Sequence, residues 1–157
     1  MKGQVDPIRR SIDVGAAPEQ AFRVFTEEMG TWWVLETHSR AAVERSGVKA
    51  ERIEFQGRVG GQVLEHLSNG EVLPWAEVVE WEPPRRLVLA WRPHGRPQPP
   101  TEVEVVFTPR ASGTHVELVH RGWEHLSEEF EELYDSYGQG WSGTLERFSL
   151  ALEARRA

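Results

Sequence analysis

The sequence predicts an α+β fold in which a curved antiparallel sheet of about seven strands wraps around a long C-terminal helix, with two short helices after the first strand. Three observations predict it. A short N-terminal stretch and a long central region alternate apolar and polar residues with period two, as strands do. A compact helix-period segment separates these two regions. The C-terminal segment repeats its apolar residues at three- and four-residue steps, the spacing of one helical face.

The first strand and helix come first in the chain. Ile8 to Val14 sets Ile8, Arg10, Ile12 and Val14 against Arg9, Ser11 and Asp13, the alternation of a half-buried strand. Gly15 ends it, and Ala17-Pro18-Glu19 opens a helix. Pro18 falls where its missing N–H costs nothing, and Glu19 lies near the positive helix end. Ala21, Phe22, Val24 and Phe25 form the buried stripe. Glu27 to Gly30 breaks the helix, and Thr31-Trp32-Trp33-Val34-Leu35 reads as a second short helical turn or a loop plugging the sheet. Glu36 to Lys49 is polar and mixed, a mobile connection by composition.

From Ala50 onward the period is two. Glu51–Gln56 and Gln62–Leu67 pair across the Gly57–Gly61 turn, and Ser68-Asn69-Gly70 marks the next hairpin. Leu73 to Trp81 puts Trp75, Glu77, Val79 and Trp81 on one face and Ala76, Val78 and Glu80 on the other. Pro74 places the start of this strand at a sheet edge or a bulge. After the Glu82-Pro83-Pro84-Arg85 turn come the strand Arg86–Trp91, the proline-rich loop Pro93–Pro100, and the strand Glu102–Thr108. A turn at Pro109–Gly113 leads to the last strand, Thr114–His120.

The helical face of the final segment is Phe130, Leu133, Tyr134, Tyr137, Trp141, Leu145, Phe148 and Leu152. Ser127 is a good N-cap, and Glu128, Glu129, Glu131 and Glu132 suit the positive end as Arg155 and Arg156 suit the negative one. Gly138, Gly140 and Gly143 each cost about 0.5–1 kcal/mol relative to alanine inside a helix. A kink, a close backbone contact or space left for a ligand must offset that cost. The expectation is a bend away from the sheet there, with room for a ligand beside Trp141.

Composition bounds the function. The 157 residues suit one domain spanning 1–157, with 39% hydrophobic and 27% charged residues, a globular balance. No apolar run approaches the roughly 20 residues that span a bilayer. Met1 to Asp13 lacks a signal-peptide core, so a cytoplasmic location is expected. Zero cysteines exclude disulfides and thiolate metal sites, and the net charge of -7 argues against nucleic acid or an anionic membrane as partner. Seven tryptophans stand out: Trp32, Trp33, Trp75, Trp81, Trp91, Trp123 and Trp141. Exposure of Trp81 or Trp123 would favour a homodimer.

Several runs resemble one family. They are Gly60-Gly61 followed by Asn69-Gly70, the Glu80-Trp81-Glu82-Pro83-Pro84-Arg85-Arg86-Leu87 turn, and the closing Gly140-Trp141-Ser142-Gly143-Thr144-Leu145-Glu146-Arg147-Phe148. Together with Ile12-Asp13-Val14 and Ala17-Pro18-Glu19, they resemble the Hsp90 ATPase activator homologue (AHSA1-like) group of the START/Bet v 1-like (SRPBCC) superfamily, over roughly Pro7 to Glu153. The resemblance implies a helix-grip fold with ligands held between the sheet's inner face and the long helix. The residues it places there are Trp32, Trp33, Phe55, Trp75, Trp91, Val105, Leu118, His120, Tyr134, Tyr137 and Trp141. Either they line a site for a flat or greasy molecule, or most are simply packing. Tyr134 and Tyr137 stand out because a buried hydroxyl needs a partner.

His120 shares the inward parity of Thr114, Val116 and Leu118. Paired with Glu77 or Glu104 it could act as a general base, and it is the one catalytic candidate. Strand-end histidines are commonly solvated or structural instead. His66, His94, His115 and His125 show no metal-ligand spacing. Gly138-x-Gly140-x-x-Gly143 has dinucleotide-fingerprint spacing but no preceding strand. No metal or cofactor is expected. Three functions stay open: binding of a small hydrophobic or aromatic molecule, a cyclase, dehydratase or hydrolase using the same pocket, and an Hsp90-type chaperone-interaction module suggested by the family name alone.

Overall fold

A computed structural model of the chain describes residues 6–33, 47–92, 100–125 and 130–155. Seven strands form one antiparallel sheet, curled into a half-barrel. They are β1 (Ile8–Val14), β2 (Ala50–Phe55), β3 (Gln62–Leu67), β4 (Val72–Glu82), β5 (Arg86–Trp91), β6 (Thr101–Arg110) and β7 (Gly113–Arg121). The sheet order is β1-β7-β6-β5-β4-β3-β2. Five hairpins therefore run in sequence, and β1 returns to pair with the last strand, Ile8 opposite His120 and Val14 opposite Thr114. Helix α1 (Pro18–Thr26) and the long helix α2 (Phe130–Ala154) complete the frame. A 3-10 turn at Met29–Thr31 follows α1, and another at Trp123–His125 follows β7. The α+β helix-grip expected from the sequence is the fold observed. No helix among the described residues is long and apolar enough to cross a membrane.

Period-two alternation translates directly into burial. On β6, Thr101, Val103, Val105 and Phe107 are buried while Glu102, Glu104 and Val106 are less so; on β7 the inward set is Thr114, Val116, Leu118 and His120. These side chains meet Phe22 and Phe25 of α1 and Trp141, Leu145, Phe148 and Leu152 of α2 in one core. The hairpin between β3 and β4 turns on Gly70 at φ 91°, a conformation that glycine adopts without a steric penalty.

Strand β4 departs from the expected alternation. Val63 faces Ala76 while Leu64 faces Pro74, which leaves Trp75 as an extra residue. Val78 faces Leu89 while Glu80 faces Val88, which leaves Val79 extra. Each bulge flips the facing of the strand residues beyond it. Trp75 and Ala76 are both buried, Glu77 and Val79 are exposed, and the predicted Trp75–Glu77–Val79–Trp81 face does not exist. The bulge beside Pro74 accommodates, within a central strand, a residue with no N–H to donate.

Helix α2 runs unbroken through its three glycines. At Gly138 the close contact is with strand β1: a Cβ there would lie 3.6 Å from Arg10 Nη2 and 3.9 Å from Ile8 Cδ1. Arg10 Nη2 also donates to the Gly138 carbonyl at 2.7 Å. Both Cβ distances are ordinary van der Waals contacts, so strand β1 occupies the expected ligand space beside Gly138 without requiring a glycine there. A Cβ at Gly143 would meet nothing within 4 Å, and nothing in the structure explains that glycine. At the C-terminal end Arg155 Nη1 donates to the Ala151 carbonyl at 2.6 Å and pairs with Glu28, as its place near the negative helix end suggests. The expected Ser127 cap, Arg156, and most of the 36–49 and 93–100 connections lie outside the described residues.

Candidate ligand site

Six aromatic or imidazole rings from five parts of the chain converge between the sheet and α2. Trp33 follows the first 3-10 turn, Trp75 stands at the first β4 bulge, Trp91 ends β5, and His120 comes near the end of β7. Tyr137 and Trp141 sit one turn apart on α2, so both reach the same side. Trp33 packs against Trp75, Trp91 and Trp141 at centroid separations of 5.1, 5.9 and 5.8 Å. Trp91 meets Trp141 at 5.7 Å and Tyr137 edge-on at 6.3 Å. Trp123 lies beneath, 4.3 Å from the His120 ring.

Hydrogen bonds fix this cluster. Trp141 Nε1 donates to His120 Nδ1 at 3.0 Å. An indole N–H can only donate, so Nδ1 must carry the lone pair and the imidazole is neutral with its proton on Nε2. That proton goes to Thr101 Oγ1, 2.8 Å away, and the Thr101 hydroxyl in turn donates to the Trp91 carbonyl at 3.0 Å. Trp123 Nε1 donates to the His120 carbonyl at 2.9 Å. Burial pushes the His120 pKa down to about 3, consistent with the same neutral tautomer. Trp91 Nε1 donates to the Tyr137 hydroxyl at 3.0 Å. Burial pushes Tyr137 up to about 12, against a smaller downward pull from that bond.

The expected glutamate partner for His120 is not there. Glu77 is exposed on β4, and Glu104 points to the outer face, where Arg86 Nε and Arg121 Nη1 lie 2.5 and 2.9 Å from its carboxylate. Burial raises the Glu104 pKa, but the two arginines outweigh it and hold the group below the usual carboxylate range. With Nδ1 occupied and no carboxylate behind it, His120 is a fixed structural anchor in this arrangement, with no free lone pair for a general base.

The other sequence candidates divide. Trp32 touches Trp33 at 6.0 Å but belongs mainly with Phe25 and Phe148, and its Nε1 donates to the Val24 carbonyl at 2.9 Å. Phe55 packs against Trp81, away from the site. Leu118 and Val105 are buried in the common core. Tyr134 packs on Trp123, at 5.5 Å, at the margin of the core. Trp123 is fully buried, and Trp81 is half-buried with its ring on Phe22.

Sequence reasoning missed Thr101 and Glu65. Glu65 is fully buried on β3 between the inward residues Val63 and Leu67, and Trp75 Nε1 donates to its Oε1 at 2.6 Å. Strand parity marks it as inward, and the usual outward reading of a charged residue masked that signal. Among the described residues no group of three histidine, aspartate or glutamate side chains is arranged to hold a metal ion.

The sequence profile of the Activator of Hsp90 ATPase homolog 1-like proteins matches residues 15–153. The chain belongs to that family. Solved structures of similar proteins include protein NE0264 from Nitrosomonas europaea, 16% identical with a TM-score of 0.68 over 96% of each chain. The AHSA1-like protein from Aeromonas hydrophila is 18% identical with a TM-score of 0.65, covering 95% of this chain and 93% of that one. At these identities the likeness is one of fold. Txn09, an anthrahydroquino-Gama-pyrone synthase solved in complex with a ligand designated SUM, is 29% identical with a TM-score of 0.63 over 95% of this chain and 98% of its own. No curated protein sequence matches the chain. The family fold is a ligand-binding or polyketide cyclase-like scaffold.

Proposed function

We propose that this protein binds a flat, largely apolar small molecule at the tryptophan-rich site between the sheet and α2. The observation that carries this reading is the convergence of Trp33, Trp75, Trp91, Tyr137 and Trp141 on one place, with Trp75, Trp91, Tyr137 and Trp141 held by hydrogen bonds. Aromatic side chains offer large contact area at low entropic cost, and their polar atoms orient a ligand that has few of its own. A neutral His120 keeps charge out of that wall. Native mass spectrometry of freshly purified protein tests the reading, with tryptophan fluorescence titration by flat tricyclic aromatics as its complement. The expected result is a small-molecule adduct lost on denaturation, or saturable quenching at micromolar ligand. Absence of both would remove the reading.

A second reading, a cyclase-type enzyme, draws on the likeness to Txn09. An o-hydroxyaryl 1,3-diketone closes to a γ-pyrone when the phenol oxygen adds to the distal carbonyl and water leaves. A proton donor at that carbonyl assists the step, and Tyr137 is the group suited to it, since His120 lacks a free nitrogen. Appearance of the pyrone absorbance with such a diketone, faster than in buffer and lost in Tyr137→Phe, is the outcome this reading requires.

A further inference from the structure

The polar hydrogens of the site reveal what its ligand should carry. The indole proton of Trp75 goes to Glu65, that of Trp141 to His120, and that of Trp91 to Tyr137. The imidazole proton of His120 goes to Thr101, and the Thr101 proton goes to the Trp91 carbonyl. The Tyr137 hydroxyl proton has no acceptor among the described residues, although its oxygen accepts from Trp91. A donor bond into a phenol oxygen polarises the O–H and strengthens it as a donor in turn. Tyr137 is half-buried, and its proton becomes costly to leave unused once a ligand covers it.

We propose that the Tyr137 hydroxyl donates to a carbonyl or equivalent oxygen of the bound molecule, so that the site selects oxygenated flat aromatics, of ketone, quinone or pyrone type, over hydrocarbons of the same shape. This rests on the ligand-binding reading and deepens it. The geometry gives the reason for specificity. A hydrocarbon ligand would cover the Tyr137 proton without satisfying it, whereas a ligand oxygen completes a chain running from Trp91 Nε1 through Tyr137 to the ligand. Burial keeps that proton in place, so Tyr137 serves as donor throughout the physiological range.

The test uses fluorene and 9-fluorenone, which share one shape and differ by one carbonyl. Both are titrated into the full chain and its Tyr137→Phe variant, with the ketone's infrared carbonyl stretch recorded in the bound state. The expected result is about three- to tenfold tighter binding of fluorenone than of fluorene by the unaltered protein, a carbonyl stretch moved to lower wavenumber, and loss of both the preference and the shift in Tyr137→Phe. Equal affinity for the two ligands, or an unshifted carbonyl, would overturn the inference and leave the binding reading standing. Binding of neither would overturn both. If Tyr137→Phe does not fold, the carbonyl stretch in the unaltered protein decides alone.

Discussion

Two aromatic clusters share the core, and they are built on different terms. At one end Phe22, Phe25, Phe107 and Phe148 pack at centroid separations of 5.1 to 5.8 Å, with Trp32 and Trp81 at their margins. These contacts are almost purely apolar. At the other end Trp33, Trp75, Trp91, Tyr137 and Trp141 pack at similar separations, yet hydrogen bonds tie ring to ring and reach back through His120 and Thr101. The phenylalanine end can be repacked by any rings of the right volume, because dispersion and burial are non-directional. The tryptophan end has directions built in, so a substitution there changes which protons are satisfied as well as how much space is filled.

The largest effect should come from the phenylalanine end. Phe148→Ala removes a fully buried ring that contacts Phe25 and Trp32, and the expected loss is about 3–5 kcal/mol in a denaturant titration. A loss under about 1 kcal/mol would mean that this end is not the packed one.

Next comes a pH dependence confined to the tryptophan end. The His120 pKa is about 3 when folded and about 6.5 when unfolded. Between those values the unfolded chain binds one more proton than the folded one. His120 therefore contributes stability that is complete above the unfolded value and falls by about 1.4 kcal/mol per pH unit on acidification. Between pH 6.5 and 5, above the range where most carboxylates titrate, the loss should total about 1.5 kcal/mol. His120→Gln should flatten that slope, and Phe148→Ala should keep it. A slope unchanged by His120→Gln would place the titrating group elsewhere.

The smallest effect sharpens the border between the clusters. Trp32→Phe keeps most of the ring and loses the bond to the Val24 carbonyl, at an expected cost of about 1 kcal/mol. Ligand titration should be unchanged by it, while Trp33→Phe, across the border, should weaken binding. Equal effects on binding would dissolve the distinction.

How much of this was legible beforehand depends on what kind of pattern carried it. Strands β3 and β5 run over the residues predicted for them, and the inward parity of His120 follows from Thr114, Val116 and Leu118. On β4, Pro74 marks an edge or a bulge and a bulge is there, but the facing of Glu77 and Val79 is not legible, because a bulge inserts one residue without changing local composition. Gly138 announced itself as anomalous, yet an added Cβ would meet Arg10 and Ile8 only at ordinary contact distances, so packing does not account for it.

The sequence by itself determined the architecture: hydrophobic period and turn chemistry are local properties, and here they agree along nearly the whole chain. Tertiary structure alone decided which tryptophans stand together, that His120 is neutral with Thr101 and Trp141 as partners, and that Tyr137 retains a proton to give. Those properties depend on pairs such as Trp91 with Tyr137 and Trp141 with His120, brought together from distant stretches of the chain. A hydrogen bond's direction has no periodicity to be read in advance.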